Sequence, residues 1–113
     1  ELPLLLARMQ AGPREAVIER KRRERDVQWL LDKLDRTPVH PDVVNALIAL
    51  ADPGVLQGAA RLLLDETRPL AVRRAARYLL ERALRRPIDV DPQVPLARQR
   101  QEVQRLREHL SRF

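Results

Sequence analysis

Leu34-Asp35-Arg36-Thr37-Pro38 and Leu64-Asp65-Glu66-Thr67-Arg68-Pro69 are two versions of one phrase. Leu, Asp and Thr recur at an offset of 30 residues. Each phrase follows one apolar-periodic run and precedes another. Val43, Leu47 and Leu50 after the first phrase are answered by Val72, Ala76 and Leu79 after the second, at an offset of 29. Repetition on this scale is the mark of stacked supersecondary units. Helical periodicity on both sides makes each unit a helical hairpin with the phrase at its turn. Asp35 and Asp65 therefore read as turn-fixing residues, not as active-site acids.

Helices extend outward from this pair of turns. No run shows the period-2 alternation of β-branched residues that marks strands. Residues 2–11 predict a short apolar helix, broken at Gly12-Pro13. A helix then runs from Pro13 to about Asp35. Its middle, Glu19 to Asp26, is eight charged residues in a row. Two turns without an apolar face either protrude into solvent or fray. Glu19–Arg23, Arg20–Glu24 and Arg22–Asp26 have helical pair spacing, worth about 0.2–0.5 kcal/mol each. The segment is thus a protruding helix or a weak joint near residues 19–25.

The apolar stripe resumes at Val27, Leu30, Leu31 and Leu34. Thr37 to Pro41 is a turn, in which His40 serves the turn geometry. Pro41 opens a helix with Val43, Val44, Ala46, Leu47 and Leu50 on one side. Asp52 is the expected N-cap of the next helix, with Pro53 in its first turn. That helix carries Leu56, Ala59, Ala60, Leu63 and Leu64, and Gly58 inside it permits close packing. A fourth helix, about 69–85, carries Val72, Ala75, Ala76, Leu79, Leu80 and Ala83. Residues 86–95 hold three prolines and read as an extended linker. The last helix, from Pro95 towards Ser111, has a narrow seam: Val103, Leu106, Leu110 and Phe113. A seam that narrow suits docking on one partner helix, in the chain's own body or in a second copy.

Composition bounds the function classes. A chain of 113 residues that is 44% hydrophobic suits one domain with its own core. Trp29, Tyr78 and Phe113 are the only aromatics, so the core is aliphatic. With no cysteine, disulfide and thiol chemistry are excluded and nothing signals an oxidising compartment, which favours a cytoplasmic location. No apolar run reaches the roughly 20 residues needed to span a bilayer. Because the first residue is Glu and not Met, the chain is expected to be trimmed, processed or cut from something longer.

Residues 26–50 and 52–84 resemble two HEAT-type, armadillo-like repeats. Asp52-Pro53-Gly54-Val55 resembles the opening of a repeat's first helix. Asp65 before the turn, followed by Val72-Arg73 and Ala75-Ala76, resembles the family's turn Asp with Val-Arg and small residues. The earlier copy keeps Leu34-Asp35 and Val43 but has Val44 where the family favours Arg. The resemblance implies an all-α fold: a short right-handed α-α superhelix of about two helical hairpins with flanking helices. It implies protein binding, with second helices lining a concave face, and, in a few members, nucleic-acid binding. It also implies that Arg73 pairs with Asp65 across the turn. On this reading residues 1–25 are an N-terminal helical arm, 26–85 the two repeats, 86–95 the linker and 96–113 the C-terminal amphipathic helix. About three repeats are the usual minimum for stability, so two need covers on their open ends.

The net charge is +6, and of 22 basic residues only Lys21 and Lys33 are not Arg. Nearly all the excess sits on the fourth helix: Arg73, Arg74, Arg77, Arg82, Arg85 and Arg86 against Glu81. Arg73, Arg74 and Arg77 are the candidates for binding phosphates or an acidic protein surface. The competing reading is a solvated face, fed by an Arg-rich composition. Arg20-Lys21-Arg22-Arg23 is interleaved with acids and favours a salt-bridged surface helix over a nucleic-acid patch. Trp29 reads as core or interface. For catalysis the chain offers little. His40 and His109 lack spaced partners for a metal site, Ser111 is the only serine, and no Gly-rich phosphate loop exists. The expectation is a non-catalytic interaction module without a cofactor. Its expected partner is a protein, with an acidic surface where the arginines select it; nucleic acid on the Arg-rich helix 69–86 and self-association through the C-terminal helix are the alternatives.

Overall fold

The computed structural model describes residues 14–113, which are all-α, with no strand among them. The helix expected over 2–11 lies outside the described residues. The described helices are α1 (residues 14–23), α2 (Val27–Leu34), α3 (Pro41–Leu50), α4 (Pro53–Leu63), α5 (Leu70–Leu84) and α6 (Arg100–Leu110), with a 3-10 turn at Leu96–Arg98 before α6.

The single helix expected from Pro13 to Asp35 is two helices. Of the two alternatives for the charged run, the chain takes the joint. Arg25 turns left-handed at φ 56°, and Asp26 caps α2 by accepting the Trp29 N–H at 3.2 Å. A segment with no apolar side chain has nothing to bury, so breaking its ladder costs little. The break also rearranges its charges. Arg23 and Arg20 pair with Glu19 and Glu24 at the expected spacing. Arg22 bonds Glu19 instead of Asp26, which is taken by Lys21 at 3.3 Å. Lys21 and Lys33 both lie over the Trp29 ring, 5.7 and 5.2 Å from its centroid.

Capping chemistry sets the remaining boundaries. His40 Nδ1 accepts the Asp42 N–H at the start of α3, and Asp52 Oδ1 accepts the Val55 N–H at the start of α4. Ala51, at φ 43°, ends α3 in the left-handed conformation, so only two residues join α3 to α4. The helices pack pairwise, α2 on α3 and α4 on α5. The two pairs lie side by side, with α2 along α4 and α3 along α5. Leu30, Leu34, Leu47, Val55, Leu63, Val72, Leu79 and Leu80 are fully buried between them.

Two segments cover this body. Ile18 of α1 joins the core at one end. At the other, residues 86–95 are not a spacer, contrary to the linker reading. They form a strap whose alternate residues Ile88, Val90 and Pro92 are buried. The prolines hold the strap extended, and side chains from α5 and from Gln99 satisfy its backbone. The expected helix from Pro95 starts later, because Gln99 interrupts it after the 3-10 turn. α6 then packs on α4, with Val103, Leu106 and Leu110 buried in the chain's own core. The fourth seam residue, Phe113, is 54% exposed and stands edge-on to His109.

Candidate functional site

The doubled phrase builds two different turns. In the second, Asp65 Oδ1 accepts the Thr67 N–H at 3.0 Å and the Thr67 hydroxyl, a local turn that mimics a backbone turn. The Thr67 hydroxyl, then its N–H, then the Arg68 guanidinium, hold the Asp65 carboxyl below its ordinary pKa. Arg68 reaches further. Its Nε donates to Asp65 Oδ2 at 3.1 Å, and its Nη1 lies 2.7 Å from Asp35 Oδ2. One arginine therefore ties the turn Asp of the first hairpin to that of the second. The sequence reading missed Arg68, although it is the one charged residue inserted into the second copy of the phrase.

Asp65 is thus not the partner of Arg73, which the resemblance implied. Arg73 is only 6% exposed. Its position at the edge of the apolar stripe turns it inward. Nε donates to the Leu63 carbonyl at 2.9 Å and Nη1 to the Pro92 carbonyl at 2.8 Å. Arg77 is half-buried and does the same at shorter range: Nε donates to the Ile88 carbonyl at 3.1 Å and lies 3.8 Å from Glu81 Oε1. Glu81 in turn accepts the Ile88 N–H. Two of the three candidate phosphate-binding arginines are therefore the clips that hold the strap. Gln99, buried and unremarked in the sequence, is the third. It accepts the Asp91 N–H and donates to the Asp91 and Val94 carbonyls.

What remains on the outside of α5 is Arg74, Tyr78 and Arg82, spaced four residues apart, with Arg85 at the helix end. Residues four apart share a helix face. Tyr78 is 50% exposed and Arg74, Arg82 and Arg85 are exposed around it. None of these three arginines forms an ion pair or a side-chain hydrogen bond among the described residues, unlike the interleaved charges of α1. Glu81, the acid nearest this face, is committed to Arg77 and the strap. The face is a cationic stripe with one aromatic at its centre. It can hold carboxylates or phosphates beside an apolar contact.

The other polar groups considered for chemistry have structural partners. His40 caps α3, His109 Nδ1 accepts from Arg86 Nη1, and the Ser111 hydroxyl donates to the Glu108 carbonyl. Among the described residues no group of three or more His, Asp or Glu side chains is placed to hold a metal ion, and no helix is long and apolar enough to cross a membrane. Comparison of the chain with family models, curated proteins and solved structures finds no match.

Proposed function

We propose that the chain is a non-catalytic helical-repeat interaction module that binds a protein partner. On this reading α2–α3 and α4–α5 are two HEAT-like repeats in a short right-handed superhelix. The side-by-side packing of α2 with α4 and of α3 with α5 supports it, because equivalent helices of stacked repeats are neighbours. So does the covering of both ends by α1 and by the strap with α6. The observation that carries the binding role is the outer face of α5, where an exposed tyrosine sits among arginines that have no acidic partner among the described residues. Tyr and Arg are enriched at the energetic centres of interfaces. The nucleic-acid reading is not favoured: of Arg73, Arg74 and Arg77, only Arg74 is free to meet a phosphate.

A photo-crosslinking residue placed at Tyr78 tests the role in source cells. One discrete cross-linked protein is expected, lost when Arg74→Glu and Arg82→Glu are added. No product, or a product indifferent to the charge reversal, counts against the module.

A further inference from the structure

We infer that the α5 face takes an acidic helix whose carboxylates are spaced two turns apart around an apolar residue; this rests on the interaction-module reading. The dimensions set the occupant. α5 has 15 residues, so its face is about 22 Å long and about 10 Å wide. That is the footprint of one helix. On the side of α3 the cationic surface does not widen: α3 exposes Asn45 and Ala49 and carries Asp42. A nucleic-acid module covers roughly 600–1,000 Å² and engages backbone phosphates on both sides of its contact. A single strand would instead need successive aromatics to stack its bases, and this face has Tyr78 alone.

A helix laid along α5 meets the stripe in register. Arg74 and Arg82 are eight residues apart, about 12 Å along the axis, which matches Glu or Asp at i and i+7 or i+8 on the partner. The residue midway between them on the partner faces Tyr78, and an apolar side chain there covers the exposed ring. Arg85 extends the cationic edge by another turn. Arg is suited to such a surface because its planar fork bonds a carboxylate bidentately. The nearest acid on α5, Glu81, is engaged by Arg77 and the Ile88 N–H, so Arg74, Arg82 and Arg85 leave the face net positive, and a partner's carboxylates offset that charge.

The test uses defined probes on the whole chain. One peptide of about five helical turns carries Glu at i and i+8 with Leu between them on one face. A second has the same composition with the Glu residues scattered round the helix. A single-stranded and a duplex oligonucleotide complete the set. Fluorescence anisotropy at low salt should show the patterned peptide binding in the micromolar range, about tenfold tighter than the scattered one. Arg74→Ala with Arg82→Ala should weaken it by about tenfold or more, and Tyr78→Ala by a similar factor. Arg107→Ala, an exposed charge on α6, should leave it unchanged. Three results overturn the inference: equal affinity for both peptides, tighter binding of either oligonucleotide, or no peptide binding at millimolar concentration. If the Tyr78 cross-link survives while the peptides fail, the partner chemistry is wrong and the module reading stands. If both fail, the module reading falls too.

Discussion

Gly58 shows how one residue sets the spacing of two helices. A Cβ at this position would overlap Leu31 Cδ1 and crowd the rest of that side chain, so the glycine lets α4 approach α2. Alanine would gain about 1 kcal/mol of helix propensity, but overpacking costs about 1–3 kcal/mol. Gly58→Ala should therefore lose about 1 kcal/mol in chemical denaturation. In a Leu31→Ala background the clash is gone, and the same change should become stabilising. Ala51 is the opposite case. Its left-handed φ of 43° carries a side-chain penalty of about 1–2 kcal/mol. Ala51→Gly removes it, less the extra entropy of glycine in the unfolded chain, so a net gain of about 0.5–1 kcal/mol and a rise in Tm of a few degrees are expected. Asp65 supplies a pH signature. Its carboxyl pKa is lowered on folding, first by the Thr67 hydroxyl. The stabilisation is present above the ordinary carboxylate range and is lost as pH falls through the depressed folded value. Thr67→Val deletes that donor. A carboxyl NMR titration should then find the Asp65 midpoint moved up towards its ordinary value; an unmoved midpoint would assign the depression to the residue-67 N–H and Arg68 instead.

At the scale of elements, the strap is the part that sequence patterns conceal. Caps and stripes are local signals, so α3 and α4 were legible from Pro41, Asp52, Pro53 and their apolar spacing. Residues 86–95 carry a local signal that points the other way, because three prolines and two acids read as solvated linker. Their burial depends on carbonyl partners distant in sequence: Arg73 bonds Pro92, 19 residues on, and Arg77 bonds Ile88, 11 residues on. The same cause divided the arginines of α5. Position on the helix places Arg73 and Arg77 at the stripe's edge, but only the strap decides that they point inward. The exposed face of Arg74, Tyr78 and Arg82 was for that reason only half visible beforehand. The strap's dependence is testable. Arg73→Ala removes two charge-assisted hydrogen bonds, each worth about 1.5–3 kcal/mol, and leaves the Leu63 and Pro92 carbonyls without their donor. A loss of about 3 kcal/mol is expected. Hydrogen exchange should quicken first at the Ile88 and Asp91 amides, ahead of the α2–α3 pair. Arg74→Ala, on the exposed face, should stay within about 0.5 kcal/mol of the parent.

For the whole molecule, the question raised by a two-hairpin stack is what closes its ends. Arg68 fastens the hairpins to each other through Asp35 and Asp65, while α1 and the strap with α6 cover the flanks. The C-terminal seam is the decisive element here, since it offers either an internal dock or an interface with a second copy. Val103, Leu106 and Leu110 are each less than a tenth exposed within a single chain, and α6 rests on α4. Among the described residues, a seam already filled leaves α6 no apolar stripe for self-association, and Phe113 is by itself too small a patch to hold a dimer. Sedimentation should accordingly find one species of monomer mass up to about 100 μM, well above the micromolar affinities of specific interfaces. Leu106→Arg separates the two arrangements. Inside the chain's own core, an unpaired guanidinium should cost about 3 kcal/mol or more and lower Tm. At an interface between copies, the same change would instead reduce the mass of the assembly and leave the melting of each chain nearly as it was. A lowered Tm at constant monomer mass is the outcome that an internally closed stack requires.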